Sequence, residues 1–240
     1  MGRWHFLYQN PETAGFSGNG LTAKPLVRKD ALETPAARLF ANLRQDFNDD
    51  RVIQAMERTP RELFVPARIR HRAYEDEALP IGGEQTISQP YIVAMMTSAL
   101  ELKGGERVLE VGAGSGYQAA VLSCLAREVV SVERKPALAA GARRILASLG
   151  ITNVAVFEAD NVLGWPSGAP YDAIIVTAAA PRIPQALVGQ LREGGRLVIP
   201  VGSRAEQHLV QATKHGEQLA IKRMGGCRFV PLVGPDAWSE

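Results

Sequence analysis

One stretch decides the fold of this 240-residue chain: Val108-Leu109-Glu110-Val111-Gly112-Ala113-Gly114-Ser115-Gly116. An apolar strand, residues 107–111, runs into a tight glycine-rich turn, and a helical pattern follows from Tyr117. Glycine adopts positive φ without a steric cost and lets a ligand approach the backbone closely. Because ligands of open α/β sheets bind at the carboxyl ends of the strands, this turn predicts a binding site.

Strands and helices alternate beyond this turn. The hydrophobic pattern predicts strands at residues 129–133, 154–157, 173–176 and 196–201, separated by helices at 117–126, 136–149 and 184–191. It predicts further strands at residues 209–213, 220–224 and 229–232. Such alternation is typical of an α/β fold, a doubly wound and mostly parallel sheet of the Rossmann-like type with helices on both faces. Helical patterns from residue 31 and from Tyr91 predict an N-terminal helical segment, with a loop at residues 79–91.

Bulk composition narrows the classes of protein. With 46% hydrophobic residues and two cysteines far apart, the chain suits one domain in a reducing, cytoplasmic compartment. The net charge of +2 is too small to predict nucleic-acid binding, and no apolar run reaches the roughly 20 residues of a membrane helix. We expect a flexible extension at residues 1–30 and a single domain at 31–240. The domain comprises N-terminal helices and a loop (31–102), a ligand-binding α/β core (103–205) and C-terminal strands (206–240).

Three acidic residues follow three successive strands. Glu110 lies two residues before the first glycine of the turn, Glu133 ends the next strand, and Asp160 follows the third. A carboxylate at Glu133 is suited to accept hydrogen bonds from both hydroxyls of a ribose, and one at Asp160 from an adenine amino group. A dinucleotide fingerprint would need glycine at Tyr117, so the G-x-G-x-G spacing favours a nucleoside without a pyrophosphate. The alternative is that the acids cap the next elements and the glycines serve only as a turn.

The glycine turn, together with Glu110 and Glu133, resembles the first two motifs of class I S-adenosylmethionine-dependent methyltransferases. The segment Gln85-Thr86-Ile87-Ser88-Gln89-Pro90 is similar to the signature of the protein-L-isoaspartate O-methyltransferases within that class. Further matches follow in the family's order at residues 50–52, 60–66, 73–76, 79–82, 176–181, 199–202, 207 and 228–232. This whole set is far more specific than one glycine motif.

The resemblance implies transfer of a methyl group from S-adenosyl-L-methionine, leaving S-adenosyl-L-homocysteine, to the free α-carboxylate of L-isoaspartyl residues in damaged proteins and peptides. It implies no metal ion, no nucleic-acid or membrane partner, and action as a monomer. It assigns Ser88 and Thr86 to catalysis. It assigns cofactor binding to Ile87, Glu110, Gly112, Gly114, Gly116, Glu133, Asp160 and Asn161, and peptide binding to Gln85, Val201, Gly202, Val230, Pro231 and Leu232.

The implied chemistry needs few reactive side chains. An isoaspartyl α-carboxylate is ionised at pH 7, so its methylation needs no general base. The protein has to align the reactants and exclude water, and orientation supplies on the order of 7–11 kcal/mol. The hydroxyls of Thr86 and Ser88 are suited to hydrogen-bond one carboxylate oxygen and leave the other directed at the methyl group. The alternative is that both hydroxyls only cap the helix that begins near Gln89.

Three features depart from the family pattern, and one of them is the stretch of residues 1–30, which has no counterpart in the short members of the family. Glu84 stands where the family often has glycine, and the usual Gly-Asp-Gly after the third strand is Ala159-Asp160-Asn161 here. Asparagine tolerates positive φ better than most residues, so we expect Asn161 to preserve the turn.

Three other interpretations stay open from the sequence. Another class I methyltransferase, acting on RNA or a small molecule, would keep the motifs of residues 110–160 and make the similarity of residues 85–90 a coincidence. An NAD-dependent oxidoreductase is disfavoured by Tyr117 at the third glycine position. A non-catalytic module that binds S-adenosylmethionine finds its support in Glu84 and Asn161.

One basic run also needs an interpretation. It consists of Arg61, Arg68, Arg70, His71 and Arg72. The run has no interleaved aromatic residues and the net charge is low, so we interpret it as solvated surface.

Overall fold

The computed structural model describes residues 34–239, and the extension predicted for residues 1–30 lies outside them. The helices are α1 (Pro35–Asp46), α2 (Asp50–Arg58), α3 (Pro90–Ala99), α4 (Tyr117–Ser123), α5 (Pro136–Ser148) and α6 (Gln185–Val188). The strands are β1 (Leu79–Gly82), β2 (Gln85–Ile87), β3 (Arg107–Val111), β4 (Glu128–Glu133), β5 (Val154–Glu158), β6 (Tyr171–Val176), β7 (Leu191–Gly202), β8 (Gln207–His215) and β9 (Gln218–Cys227). Within residues 34–239, no helix has the length and apolar character needed to cross a membrane.

A seven-stranded sheet forms the centre of the fold. Its strand order is β5-β4-β3-β6-β7-β8-β9. All pairs from β5 to β7 are parallel, whereas β8 and β9 add antiparallel at one edge. The prediction of a doubly wound, mostly parallel sheet is therefore confirmed. Strand order reverses between β3 and β6, and such a switch point leaves a crevice at the carboxyl ends of the strands.

Both faces of the sheet are buried. Along β3, Val108 packs into a core shared with the N-terminal helices, whereas Leu109 faces a second core on the opposite side. Burying each such side chain stabilises the fold by about 1.5–3 kcal/mol. Strands covered on both faces have continuous apolar runs, which is why their positions were predictable. The N-terminal helices contribute Leu43 and Met56 to the first core, so they cover one face of the sheet.

The loop predicted for residues 79–91 is wrong over most of its length. β1 and β2 form an antiparallel hairpin in which Leu79 pairs with Ile87 and Pro80 with Thr86, and α3 begins at Pro90. Leu79 and Ile87 are both buried in the first core. Their burial anchors the two ends of the hairpin, which the glycines and prolines of the segment did not reveal.

The helix predicted for residues 184–191 is too long. α6 ends at Val188, and Leu191 already begins β7, where it pairs with Tyr171. The N–H of Tyr171 donates to the carbonyl of Gln190 (2.8 Å), which extends the strand pairing to this point. The pair Gly194-Gly195 lies inside β7 instead of closing a helix. Pairing with β6 overrides the local periodicity here, as strand context commonly does.

Candidate active site

A cleft opens at the carboxyl ends of the parallel strands. Its walls are the glycine turn after β3, the β1–β2 hairpin, and the segment of residues 230–235 near the C-terminus. The predicted site residues that line it are Gln85, Thr86, Ile87, Ser88, Gly112, Gly114, Glu133, Asp160, Val230, Pro231 and Leu232. The predicted residues that do not line it are Glu110, Gly116, Asn161, Val201 and Gly202.

The glycine turn needs glycine for conformation and for space. Gly112, Gly114 and Gly116 have φ angles of 99°, 53° and 89°. A Cβ on Gly112 would lie 2.4 Å from Oγ1 of Thr177, a hydroxyl that donates to the Gly112 carbonyl (2.6 Å). A Cβ on Gly116 would lie 3.0 Å from that of Ala142 in α5. Gly116 therefore serves helix packing, while Gly112 and Gly114 present bare backbone to the cleft.

Glu133 ends β4 with its carboxylate at the cleft. The carboxylate oxygens accept hydrogen bonds from the N–H groups of Gly114 (2.8 Å) and Lys135 (2.9 Å). These bonds link the end of β4 to the glycine turn and fix the direction of the side chain. Each carboxylate oxygen retains a second lone pair, so two further donors from a ligand can be accepted. A vicinal diol such as that of ribose fits this acceptor set.

Glu110 lies behind the turn instead of on the cleft. Its side chain is fully buried, Oε2 accepts a hydrogen bond from the Ser131 hydroxyl, and Oε1 has no hydrogen-bond partner within residues 34–239. Burial raises the pKa of this carboxyl to about 8, the Ser131 hydrogen bond opposes the rise, and the nearby Glu133 charge adds to it. Glu110 is therefore largely neutral at pH 7, and any contact with a ligand runs through the turn that it supports.

Asp160 and Asn161 follow β5 at the outer end of the cleft. Both are exposed, and Oδ1 of Asp160 accepts the N–H of Val162 (2.8 Å). The expected left-handed conformation at Asn161 is wrong, because positive φ occurs at Gly164 (83°) instead. The turn is preserved by the Asp160 hydrogen bond and by this later glycine.

The β1–β2 hairpin forms the wall opposite the glycine turn. It turns through three residues of positive φ, Gly82 (95°), Gly83 (57°) and Glu84 (60°). The departure at Glu84 thus places a side chain in the left-handed region, where glycine has no steric cost. The hairpin nevertheless forms, and it carries Thr86 and Ser88 to the cleft.

The hydroxyls of Thr86 and Ser88 are free to bind a ligand. Neither one hydrogen-bonds to another group in the part of the chain that the structure describes. The alternative role as helix caps is wrong, because the N-cap of α3 is Gln89 and the N–H of Tyr91 in the first turn donates to Asp76 Oδ1 (2.8 Å). The backbone of Ser88 is nonetheless held, since its carbonyl accepts from Nη2 of Arg61 (2.7 Å).

Residues 229–232 form the third wall, although they are not the strand that the pattern predicts. The N–H of Ala179 donates to Val230 O (2.8 Å) and the N–H of Leu232 to Ala179 O (2.8 Å), so only an isolated bridge forms. Gln207 clamps the segment from β8, because its Oε1 accepts the N–H of Phe229 (2.7 Å). On the other side of Ala179, the next residue, Ala180, forms a bridge with Val201, which keeps Val201 away from the cleft.

Sequence reasoning missed several cleft residues. Most of them flank a predicted residue at a strand end, so their only signal was position: Val111, Ala113, Ser115, Tyr117, Gln118, Val132, Arg134, Lys135, Ala159, Val162, Leu163, Gly164, Thr177 and Ala178. Val93 in α3 and residues 233–235 had no signal. The interpretation of Arg61 as solvated surface is wrong, because its side chain is completely buried.

Comparisons with known proteins agree with this geometry. The profile of the protein-L-isoaspartate(D-aspartate) O-methyltransferase family (PCMT) matches residues 34–237. Protein-L-isoaspartate O-methyltransferase 1 of Syntrophobacter fumaroxidans is 54% identical over 191 residues, which cover 80% of this chain and 89% of that protein. Protein-L-isoaspartate O-methyltransferase 2 of Pelobacter propionicus is 57% identical over 192 residues, covering 79% and 85% of the two chains.

Solved structures give the same result. A protein-L-isoaspartate O-methyltransferase superposes with a TM-score of 0.75 at 32% identity, over 84% of this chain and 67% of that one. A Plasmodium falciparum protein assigned to the same activity, solved in complex with S-adenosyl-L-homocysteine, superposes with a TM-score of 0.70 at 26% identity, over 80% and 95% of the two chains. The chain therefore belongs to the protein-L-isoaspartate(D-aspartate) O-methyltransferase family.

Proposed function

We propose that this protein transfers a methyl group from S-adenosyl-L-methionine to the free α-carboxylate of L-isoaspartyl residues in damaged proteins and peptides. Family membership supports the reaction. The observation that carries the proposal to this chain is that Thr86 and Ser88, whose hydroxyls have no hydrogen-bond partner within the described residues, line the same cleft as the glycine turn. A site for the methyl donor and a site for the methyl acceptor are therefore adjacent in the same cleft.

The glycine-turn side of the cleft suits the cofactor. Gly112 and Gly114 offer backbone without side chains, and the fixed carboxylate of Glu133 offers lone pairs to the ribose hydroxyls. Ile87 and Asp160 close this side, with Asp160 at its outer end. The bound cofactor supplies a methyl group activated on a sulfonium. Glu110 and Gly116 support this side from behind, through the core and through α5.

The hairpin side suits the acceptor carboxylate. An isoaspartyl α-carboxylate is ionised at neutral pH, so the site needs donors that orient it and no base that deprotonates it. Thr86 and Ser88 provide hydroxyl donors, and the described histidines, those beyond residue 33, do not line the cleft. Both hydroxyls position the substrate through hydrogen bonds, and neither forms a covalent bond with it.

The segment of residues 230–232 suits the peptide around the damaged residue. Val230, Pro231 and Leu232 line the cleft beside Gln85, and they offer apolar surface and backbone instead of charge. A wall of this kind reads a peptide mainly through its main chain, which fits an enzyme that accepts many sequences. Val201 and Gly202 contribute from behind, through the contact of β7 with Ala180.

The methyl ester explains how damage is reversed. The next backbone nitrogen attacks the ester carbonyl, methanol leaves, and a succinimide forms. Water then opens the succinimide, partly to normal aspartate and partly back to isoaspartate. Repeated cycles convert most of the damaged residues.

We further propose that the protein acts in the cytoplasm as a monomer, without nucleic-acid or membrane partners.

The test is methyl transfer from labelled S-adenosylmethionine to two peptides that differ only in Asp versus L-isoAsp. The proposal expects a base-labile label on the isoAsp peptide alone. Label on both peptides, or on neither while S-adenosylhomocysteine still binds in calorimetry, would contradict it. The second result would indicate another acceptor or a binding module.

A further inference from the structure

Arg61 is a buried cation held against the acceptor wall. It begins a short 3-10 helix after Pro60, and its side chain has no solvent exposure. Nε donates to Ala73 O (2.8 Å) and Nη2 donates to Ser88 O (2.7 Å). The guanidinium carbon lies 4.9 Å from the ring centroid of Tyr117, a residue that lines the cleft. One side chain therefore joins three parts of the chain at the back of the site.

The charge of Arg61 has no carboxylate in direct contact. Within residues 34–239 the guanidinium forms no ion pair, and its Nη1 is buried without a hydrogen-bond partner. Burial lowers the pKa of this guanidinium, although arginine stays protonated in proteins. Buried cations are normally paired, because an isolated charge in a protein interior is costly. Asp76 stabilises the guanidinium only from beyond ion-pair distance, and hydrogen bonds to two carbonyls do not require a full charge, so the buried charge calls for a further explanation.

The position of Ser88 supplies that explanation. The carbonyl of this residue accepts a hydrogen bond from Arg61, while the residue lines the cleft and its hydroxyl has no hydrogen-bond partner within residues 34–239. Holding the carbonyl fixes the peptide plane that follows Ser88 and so fixes the backbone that carries the hydroxyl. The guanidinium also places a positive charge directly behind the place where an anionic acceptor would be oriented.

We propose that Arg61 is a positioning residue for the acceptor carboxylate, which fixes the Ser88 peptide and provides a permanent positive charge behind the hairpin. This inference rests on the proposed function, since it needs an anionic acceptor at Ser88. It assigns Arg61 to the acceptor side, because within the described residues its hydrogen bonds run to Ala73 and Ser88, and it meets Tyr117, at the start of α4, through the ring. If Arg61 only linked residues 73 and 88, its substitution would lower the stability of the fold and leave the KM for the peptide unchanged.

Arg107 provides a control at the opposite end of the strands, because it begins the interior strand β3 at its amino end. Its Nη1 donates to Gly168 O, and its guanidinium carbon lies 5.6 Å from the ring centroid of Tyr171. It differs in having an ion pair with Glu128 and in lying away from the cleft. Arg107→Met therefore removes a guanidinium that packs on a tyrosine ring, without touching the acceptor wall.

The experiment compares Arg61→Met, Arg61→Lys and Arg107→Met with wild type. It measures KM and kcat for an isoAsp peptide, the Kd for S-adenosylhomocysteine by calorimetry, and the melting temperature. For Arg61→Met the expected result is a rise of about 10-fold or more in peptide KM, with the cofactor-product Kd changed by less than about twofold. Arg61→Lys should recover part of the KM, because the charge returns without both carbonyl bonds. Arg107→Met should lower the melting temperature and leave the peptide KM unchanged.

Three results would overturn the inference. They are a peptide KM in Arg61→Met equal to that of wild type, a cofactor-product Kd that weakens in parallel with KM, or an equal rise of KM in Arg107→Met. If Arg61→Met does not fold, Arg61→Lys decides alone, since an unchanged KM there removes the need for the fixed geometry. A wild-type enzyme that fails to label the isoAsp peptide would instead refute the proposed function before any variant is compared.

Discussion

The two sides of the cleft are built in different ways. The cofactor side consists of strand ends and turns that hydrogen-bond to one another through the backbone, as when the N–H of Gly112 donates to Val132 O (2.8 Å). The acceptor side consists of a hairpin and a C-terminal segment. The side chain of Arg61 holds the hairpin and that of Gln207 holds the segment, each by a hydrogen bond from a distant place in the sequence. The first side therefore depends on backbone conformation, and the second depends on a few single side chains.

The largest effect is expected where the cofactor side needs a bare backbone. Gly112→Ala puts a Cβ 2.4 Å from Thr177 Oγ1 at a φ of 99°, so both a clash and backbone strain result. We expect unfolding in urea to show a loss of about 2–5 kcal/mol, with binding of S-adenosylhomocysteine abolished. Gly141→Ala is the control, because this glycine lies within α5 and a Cβ there meets nothing within 4 Å.

The Gly141→Ala variant should be more stable than wild type by about 0.5–1 kcal/mol, since alanine favours helix. If Gly112→Ala binds the cofactor product normally, the idea that the turn requires glycine is wrong.

The next effect depends on pH and concerns Glu110, whose carboxyl is buried behind the glycine turn. The pKa of Glu110 is about 8 in the folded protein and 4.5 ordinarily, so the folded state binds the proton more tightly. Its contribution to stability is therefore complete below pH 4.5 and is lost as the pH rises to about 8. Because glutamine does not ionise, the Glu110→Gln variant escapes this loss. Its free energy of unfolding should therefore increase relative to that of wild type between pH 5 and pH 8, by on the order of 2–4 kcal/mol.

Urea unfolding of both proteins at several pH values measures this difference. If the free energies of unfolding of Glu110→Gln and wild type change in parallel with pH, then burial does not raise the pKa of Glu110, and this carboxyl is ionised in the folded protein.

A smaller effect is expected at the acceptor side. Gln207→Ala leaves the N–H of Phe229 without its acceptor, which should cost about 1–2 kcal/mol of stability and raise the KM for an isoAsp peptide several-fold. Gln211→Ala is the matched control, since Gln211 is also buried in β8 and its Nε2 donates to Ala99 O (2.6 Å) away from the cleft. Similar stability losses with a KM change only in Gln207→Ala would support the role of the clamp, whereas equal KM changes would refute it.

The same division explains what the sequence could predict. The glycine turn, Glu133 and the parallel strands are local features, because glycine spacing and apolar runs report backbone conformation directly. The structure places Gly112, Gly114 and Glu133 on the cleft, whereas Glu110 is buried behind the turn, where its burial depends on packing from both sides of the sheet.

The acceptor side was predicted less well because its geometry is not local. Thr86 and Ser88 were identified through the family resemblance, but the hairpin that carries them was predicted as a loop. Arg61 was interpreted as surface because charge and neighbouring arginines were the only local signals, whereas its partner Ser88 lies 27 residues away. Contacts over such distances leave no periodic pattern in one sequence.

The most direct test of the two-sided cleft is Ser88→Ala, with peptide turnover and cofactor-product binding measured on the same preparation. Ser88 lines the cleft and its hydroxyl has no hydrogen-bond partner within residues 34–239, so its removal should leave the fold intact. We predict that kcat/KM for an isoAsp peptide falls about 10–100-fold, as expected for a lost hydrogen bond to a charged group. The Kd for S-adenosylhomocysteine should change by less than about twofold. Turnover equal to that of wild type, or a Kd that weakens as much as turnover falls, would contradict the division of the cleft into a cofactor side and an acceptor side.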